Sequence, residues 1–425
     1  MAIQALLVIL AVLLVLLFLG VPISYAIAVS SLTAILSSID LNVAVLTAAQ
    51  RTFVGMSKFS LTAIPFFILA GNIMNQGGIA KRLVDFVMAI LGKLPGALLV
   101  TNIGTNALFG AISGSASAAA AAVGSMIRDG AEEQGYDPAV TAATNAASSC
   151  SGLLIPPSNA LITYSLASGG TSVAALFMAG YIPGIIWALC CCVVGVLLAV
   201  KLGYKGTPGK FDWKNLGVCT LRALPSLSLI IVVIGGIIGG VFSATEGSAI
   251  AVVYALILAF CYRSINLKSL WKIIVDSAKM SGMVVFLVGV SNILGWVMAF
   301  LQIPDAVAAA LLSLTSNKYI ILLIMNVILL ISGTFMDVTP AILIFTPLFL
   351  PICQSFGMST IQFGLILVYN LCIGNITPPV GNALFVGIKV GRTSLSKVMP
   401  YMLMYYVAII GGLLLGCTRA VASKF

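Results

Sequence analysis

Two proline pairs limit what this chain can become. Pro156-Pro157 and Pro378-Pro379 each interrupt strongly apolar sequence that would otherwise read as unbroken helix. Proline has no backbone N–H and its ring clashes with the carbonyl four residues earlier, so two in succession break a helix. The first pair is expected to free the carbonyls of Gly152 and Leu153, the second those of Gly374 and Asn375. In hydrocarbon an unpaired carbonyl costs several kcal/mol, so such a break persists only where a cation, a polar ligand or water meets it. Breaks in matching places of two halves point to a binding site near the bilayer midplane.

That the surroundings are hydrocarbon follows from composition. The chain is 61% hydrophobic and 8% charged, with a mean hydropathy of +1.17. Soluble domains carry about 25% charged residues, so this reads as an all-α polytopic membrane protein; at about 20 residues per span, roughly ten to twelve crossings fit. The net charge of +10 is spread too thinly for a nucleic-acid partner and is better explained by cytoplasmic loops rich in Lys and Arg. The absence of histidine removes the usual proton relay and the commonest zinc or haem ligand. Nine cysteines, including Cys190-Cys191-Cys192, lie in apolar sequence without metal-ligand spacing and read as packing residues. The first apolar run, Ala2 to Leu19, has neither a preceding basic residue nor a small-residue cleavage site, and reads as a retained span.

Apolar runs near 3–19, 22–38, 60–77, 172–200, 220–241, 247–262, 281–301 and 400–417 predict spanning helices. Segments 42–58 and 264–279 carry Lys or Arg and predict helices lying along an interface. An internal repeat joins the rest. Phe67 to Ile73 resembles Phe286 to Ile293, Ser113-Gly114 resembles Ser332-Gly333, and Pro156-Pro157 with Asn159-Ala160-Leu161 resembles Pro378-Pro379 with Asn382-Ala383-Leu384. Asn72 to Ser113 and Asn292 to Ser332 span 41 and 40 residues, and Ser to Pro spans 43 and 46. Landmarks in the same order at the same spacing indicate duplication. The first repeat is expected over 1–203, with scaffold and arm in 1–60, a hairpin at 97–127 and a broken helix at 139–168. The second is expected over 204–425, with scaffold and arm in 216–280, a hairpin at 320–352 and a broken helix at 361–390. If the repeats are inverted and the N-terminus lies outside, sixteen Lys and Arg fall inside, Lys210 among them. Only Arg51, Lys58, Lys318, Arg419 and Lys424 fall outside. The hairpin turns are then Ser113 to Ser117 and Ser332 to Asp337.

Several of these residues form a pattern of their own: Pro65 to Met74 (PFFILAGNIM), Ser113-Gly114-Ser115, Ile155-Pro156-Pro157-Ser158, and Gly235-Gly236-Ile237 with Phe242-Ser243-Ala244-Thr245-Glu246. Together they resemble the large membrane subunit of tripartite ATP-independent periplasmic (TRAP) transporters, over nearly the whole chain. Gly247-Ser248 stand where that pattern leads one to expect alanines. The resemblance implies an elevator-type fold with re-entrant hairpins. It implies sodium-driven import of an organic acid, sialic acid or a C4-dicarboxylate, across the bacterial inner membrane. It also implies a periplasmic binding protein that delivers the substrate and a separate small four-helix membrane subunit.

The resemblance further implies two sodium sites, each made by a hairpin tip and the neighbouring broken helix. The residues supply hard oxygen donors there, as a small hard cation prefers. The expected first site comprises Ser113, Gly114, Ser115, Gly152, Pro156 and Asn159; the second comprises Ser332, Gly333, Thr334, Gly374, Thr377, Pro378 and Asn382. Substrate contacts are expected from Ser117, Pro157, Ser158, Asp337 and Pro379. Asp337 could instead tune the second cation site or cap its helix. Asn72, Asn292 and Glu246 are expected to be structural, the two asparagines bracing the broken helices and Glu246 capping its own. Alternatives are close helix packing by the Ser and Gly residues, a stand-alone sodium/carboxylate symporter, and a passive channel. A membrane enzyme lacks any supporting histidine or paired carboxylates.

Overall fold

The computed structural model describes residues 2–206, 212–315 and 317–415; Lys210, Arg419 and Lys424 lie outside them. The first half contains α1 (Ala2–Phe18), α2 (Ile23–Ile35), α3 (Leu41–Met56), α4 (Ala63–Gln76), α5 (Ile79–Leu91), α6 (Ala97–Ser113), α7 (Ala116–Glu133), α8 (Pro138–Ser149), α9 (Ser151–Leu154), α10 (Asn159–Ala167) and α11 (Val173–Leu202). The second contains α12 (Trp213–Ile238), α13 (Ala244–Cys261), α14 (Leu267–Phe300), α15 (Ile303–Leu314), α16 (Lys318–Phe335), α17 (Val338–Ser355), α18 (Thr360–Asn375), α19 (Asn382–Val390) and α20 (Leu395–Leu415). No strand occurs among the described residues.

The chain is an all-α polytopic membrane protein of two inverted-topology repeats. Each repeat runs through outer helices, a helical hairpin (α6–α7, α16–α17), a helix broken at a proline pair (α8–α10, α18–α19) and a closing helix (α11, α20). The halves interlock crosswise: α2 packs on α14 and α4 on α13, α1 on α15 and α5 on α12, α10 on α17 and α19 on α7. Large apolar side chains on the outer faces, such as Leu7, Leu14, Leu221, Ile231 and Val407, are exposed where hydrocarbon would solvate them. Inside, Trp187 is fully buried and its indole N–H donates to the Ala147 carbonyl at 2.8 Å, so α11 is tied to α8 without an orphaned donor.

Local chemistry sets the helix boundaries. Asp137 accepts from Ala139 N at 2.8 Å with Pro138 opening α8, and Asp212 accepts from Lys214 N and Asn215 N at 3.0 Å to start α12. Asn266 and Ser269 form a capping box that starts α14.

Among the described residues, seven helices are long and apolar enough to cross a bilayer, or eight if α3 and residues 59–76 count as one span bent by 60°. The count falls below ten to twelve because α1, α2, α6, α15 and α18 are apolar but shorter than 18 residues. Two helices were not anticipated, α5 and α15. The first carries Lys81, Arg82 and Asp85 on one face, which lowers its mean hydropathy below that of a spanning run. The interface segments also differ from each other. Segment 42–58 is a helix of its own, followed by a 3-10 turn at Phe59–Thr62. Segment 264–279 instead runs without interruption into α14, a single helix of 34 residues, because nothing like Ser57-Lys58 breaks it.

Candidate site between the hairpin tips and the proline breaks

At the first hairpin α6 ends on Ser113, and Gly114 takes φ +62°, where a side chain would be strained. A Cβ on Gly114 would also lie 3.2 Å from both Asn159 Nδ2 and the Pro157 carbonyl, so this tip sits directly on the first break. Ser115 caps α7, accepting from Ala118 N at 3.4 Å, and its hydroxyl lies 3.2 Å from that of Ser117. Behind the tip, a Cβ on Gly71 of α4 would lie 3.1 Å from Ser113 Cα.

The second hairpin turns within the expected stretch Ser332 to Asp337, at its far end. Ser332, Gly333 and Thr334 belong to the last turn of α16, and the chain reverses at Met336-Asp337. Gly333 serves close packing: a Cβ on Gly374 would meet its Cα at 2.5 Å, as one on Gly152 would meet Gly110 Cα at 2.2 Å. The spatial counterpart of Gly333 is therefore Gly110, and that of Ser115 is Asp337, each capping position opening its hairpin's second arm. Ser332 faces away, lining an apolar cavity of about 270 Å³ with Leu6, Ile9, Leu294 and Phe345. Thr334 turns its hydroxyl to the Ile331 carbonyl at 2.7 Å, while its own carbonyl accepts from Val380 N at 3.1 Å.

Both breaks are present, and both Pro–Pro bonds are cis. Not all the carbonyls expected to be free are so. That of Gly374 accepts from Thr377 N at 2.9 Å, and that of Leu153 accepts from the Ser158 hydroxyl. Ser158 also accepts from Leu161 N at 3.3 Å and is fully buried, so it holds the break together. The Thr377 hydroxyl donates to the Ile373 carbonyl at 2.6 Å. Pro156 packs toward Gly180 of α11, Pro157 lines a small apolar recess with Phe67 and Leu229, and Pro379 is exposed.

The two halves meet around a cavity of about 110 Å³ with a mixed wall, Ile64, Ile68, Leu153, Met280 and Val284 making its apolar part. The first contributes Gly114, Ser115, Ser117, Asn159 and Thr163; the second contributes Asp337, Thr339, Asn375 and Asn382. Helices α7, α10, α17 and α19 all begin at this cavity, the last two without a side-chain cap, and no Lys or Arg lines it. Asn159 Oδ1 and Asn375 Oδ1, one from each half, are buried acceptors with no hydrogen-bond partner. Asp337 is exposed to the cavity and makes no capping bond to its own helix. The donors are oxygens throughout, which suits a hard cation such as sodium, and the helix starts suit an anion.

Sequence reasoning placed Ser115, Ser117, Asn159, Asp337 and Asn382 at this cavity but missed Asn375, Thr163 and Thr339. An asparagine three residues before the second proline pair was the available signal for Asn375. Asn72, Asn292 and Glu246 lie away from this cavity. Asn72 Nδ2 donates to Ser277 Oγ at 2.8 Å, joining α4 to α14. Asn292 donates to the Val288 carbonyl at 2.8 Å and abuts Gly55 of α3. Neither braces a broken helix, because both lie on outer helices. Glu246 forms a capping box with Ser243, accepting from its N–H at 2.7 Å and its hydroxyl at 2.8 Å.

Residues 10–419 match the family described as tripartite ATP-independent periplasmic transporter, DctM component. The chain is 51% identical over 390 residues to an uncharacterized protein, YgiK, of Salmonella typhimurium, covering 92% of this chain and 89% of that one. It is 37% identical over 395 residues to the isethionate TRAP transporter permease protein DctMQ of Oleidesulfovibrio alaskensis, covering 92% of this chain and 62% of that longer one. It is 35% identical over 386 residues to the C4-dicarboxylate TRAP transporter large permease protein DctM of Pseudomonas aeruginosa, covering 89% of each. The fold is also that of the Alcanivorax borkumensis YdaH transporter, with a TM-score of 0.62 at 16% identity and 89% of each chain covered.

Proposed function

This chain belongs to the DctM component family of tripartite ATP-independent periplasmic transporters, and we propose that it imports an organic acid by sodium symport. The observation that carries this reading is the shared cavity. Four helix N-termini favour a carboxylate or sulfonate there, while unpaired carboxamide oxygens from both halves favour cations. With no basic side chain on the wall, bound sodium and helix dipoles must together offset an anion's charge at mid-depth.

In this reading the first sodium site draws on Ser113, Ser115, Asn159 and the backbone at Gly114. The second draws on Thr334, Thr377, Asn375, Asn382 and carbonyls of the 374–378 break. Ser117 and Asp337 face the substrate. The relatives named for isethionate and for C4-dicarboxylates make small organic anions the class to test first, with sialic acid beside them. Each positive charge entering gains about 2.3 kcal/mol per ~100 mV, and a tenfold gradient adds about 1.4 kcal/mol per ion. Two sodium ions with a monoanion therefore make uptake electrogenic.

The hairpins and broken helices are bound to each other by the Gly110–Gly152 and Gly333–Gly374 crossings. Tyr164 adds a link between the halves: its hydroxyl donates to the Thr360 carbonyl at 2.5 Å and its ring lies against Gly364. Such a body can slide as a unit against a frame made of the outer helices, an elevator cycle. The periplasmic binding protein would deliver substrate, and a small four-helix membrane subunit would complete the frame. The N-terminus would then lie in the periplasm of an inner-membrane protein.

Reconstitution of the chain into vesicles with both partner proteins tests this. Uptake of a labelled organic acid is expected only with an inward sodium gradient and only when both partners are present. Uptake by the chain alone would make it a stand-alone symporter.

A further inference from the structure

The two proline breaks are built alike but held differently. In an unbroken helix the Ile376 carbonyl would accept from Val380 N–H, four residues on. Here Val380 N donates instead to the Thr334 carbonyl of the hairpin at 3.1 Å. The Ile376 carbonyl is left over, and Tyr406 of α20 takes it, donating its hydroxyl at 2.6 Å. At the first break α11 lies close through Gly180 and Gly184, which have no side chain to donate. Ser158, directly after Pro157, returns its hydroxyl to the Leu153 carbonyl. The residue directly after Pro379 is Val380, which has no hydroxyl to offer.

We propose that Tyr406 is the positioning residue of the cation site in the second half. Its hydroxyl fixes the Ile376 carbonyl, and thereby the turn that presents the oxygens of residues 375–377. The inference rests on the sodium-coupled reading above and goes beyond it by assigning a residue outside the hairpins and broken helices. It makes the two sites unequal: the first carries its own brace, whereas the second follows the position of α20. A neighbour supplies the internal control. Tyr405 is fully buried and its hydroxyl lies 2.8 Å from Thr144 Oγ1 on α8, remote from either proline pair in the sequence.

The test is the thermal unfolding of the purified full chain titrated with sodium chloride against choline chloride at constant ionic strength. Wild type is expected to gain stability with sodium. Tyr406→Phe should raise the half-saturating sodium concentration by roughly three- to tenfold, the worth of one hydrogen bond. Tyr405→Phe should lower the sodium-free midpoint but leave the sodium titration unmoved. A merely structural role for Tyr406 moves the sodium-free midpoint only, and that outcome overturns the proposal, as does an equal shift in both variants. If wild type does not respond to sodium, the sodium-coupled reading fails and the proposal falls with it.

Discussion

Asn159 and Asn375 concentrate the chemistry at the scale of single residues. Each keeps a buried carboxamide oxygen without a donor, an arrangement that costs about 1–3 kcal/mol wherever nothing compensates it. Asn106 and Asn370 keep such an oxygen too, outside the cavity lining; Asn159 and Asn375 differ in lining one cavity from both halves, which a ligand that supplies positive charge would explain. Replacing either by alanine is expected to raise the half-saturating sodium concentration about tenfold, equivalent to about 1.4 kcal/mol, read by the same sodium titration. An unchanged titration in both variants would remove the cation from this place. Asn159 was legible in the sequence because it follows a proline pair. The side chain of Asn375 was not, because within helical sequence an asparagine gives no sign of which way it points. Ser158 shows the converse. Its position beside the prolines suggested a ligand contact, yet a buried hydroxyl with a carbonyl within reach satisfies itself first.

At the scale of elements, the glycine crossings make each hairpin and broken helix one object. A Cβ on Gly374 would stand 2.5 Å from Gly333 Cα, a backbone atom that cannot turn aside as a flexible side chain can. Gly374→Ala is therefore expected to cost about 1–3 kcal/mol through overpacking, seen as a lower unfolding midpoint. Gly411→Ala, where a Cβ meets nothing within 4 Å, should leave the midpoint unchanged or raise it, since alanine favours helix by about 1 kcal/mol. Equal effects of the two substitutions would show that the crossing is not tight. The sequence announced the broken helices, the hairpins and the long apolar spans, because prolines, small residues and hydropathy each act locally. Which residues of the expected turn, Ser332 to Asp337, make the reversal was hidden. A Ser-Gly pair serves a turn and a close crossing equally well, and only the packing of Gly333 on Gly374 separates the two. The union of the second interface segment with α14 was hidden for a similar reason: polarity marks where a helix leaves hydrocarbon, not where it ends.

At the scale of the whole molecule, the repeat accounts for both the cavity and its contents. The crosswise packing of α10 on α17 and α19 on α7 brings two helix starts from each half to one place. Neither half alone encloses the cavity, so under the proposed function substrate and cations would share a single compartment. The central claim is that oxygens from both halves hold the sodium that accompanies the substrate. The most direct measurement is the influx of radioactive sodium during organic-acid uptake into vesicles holding this permease, its small subunit and binding protein. Wild type is expected to admit more positive charge as sodium than negative charge as substrate, and the Asn159→Ala/Asn375→Ala double variant to lose the coupled influx while remaining folded. Substrate uptake with no accompanying sodium, or full coupling in the double variant, would contradict the account.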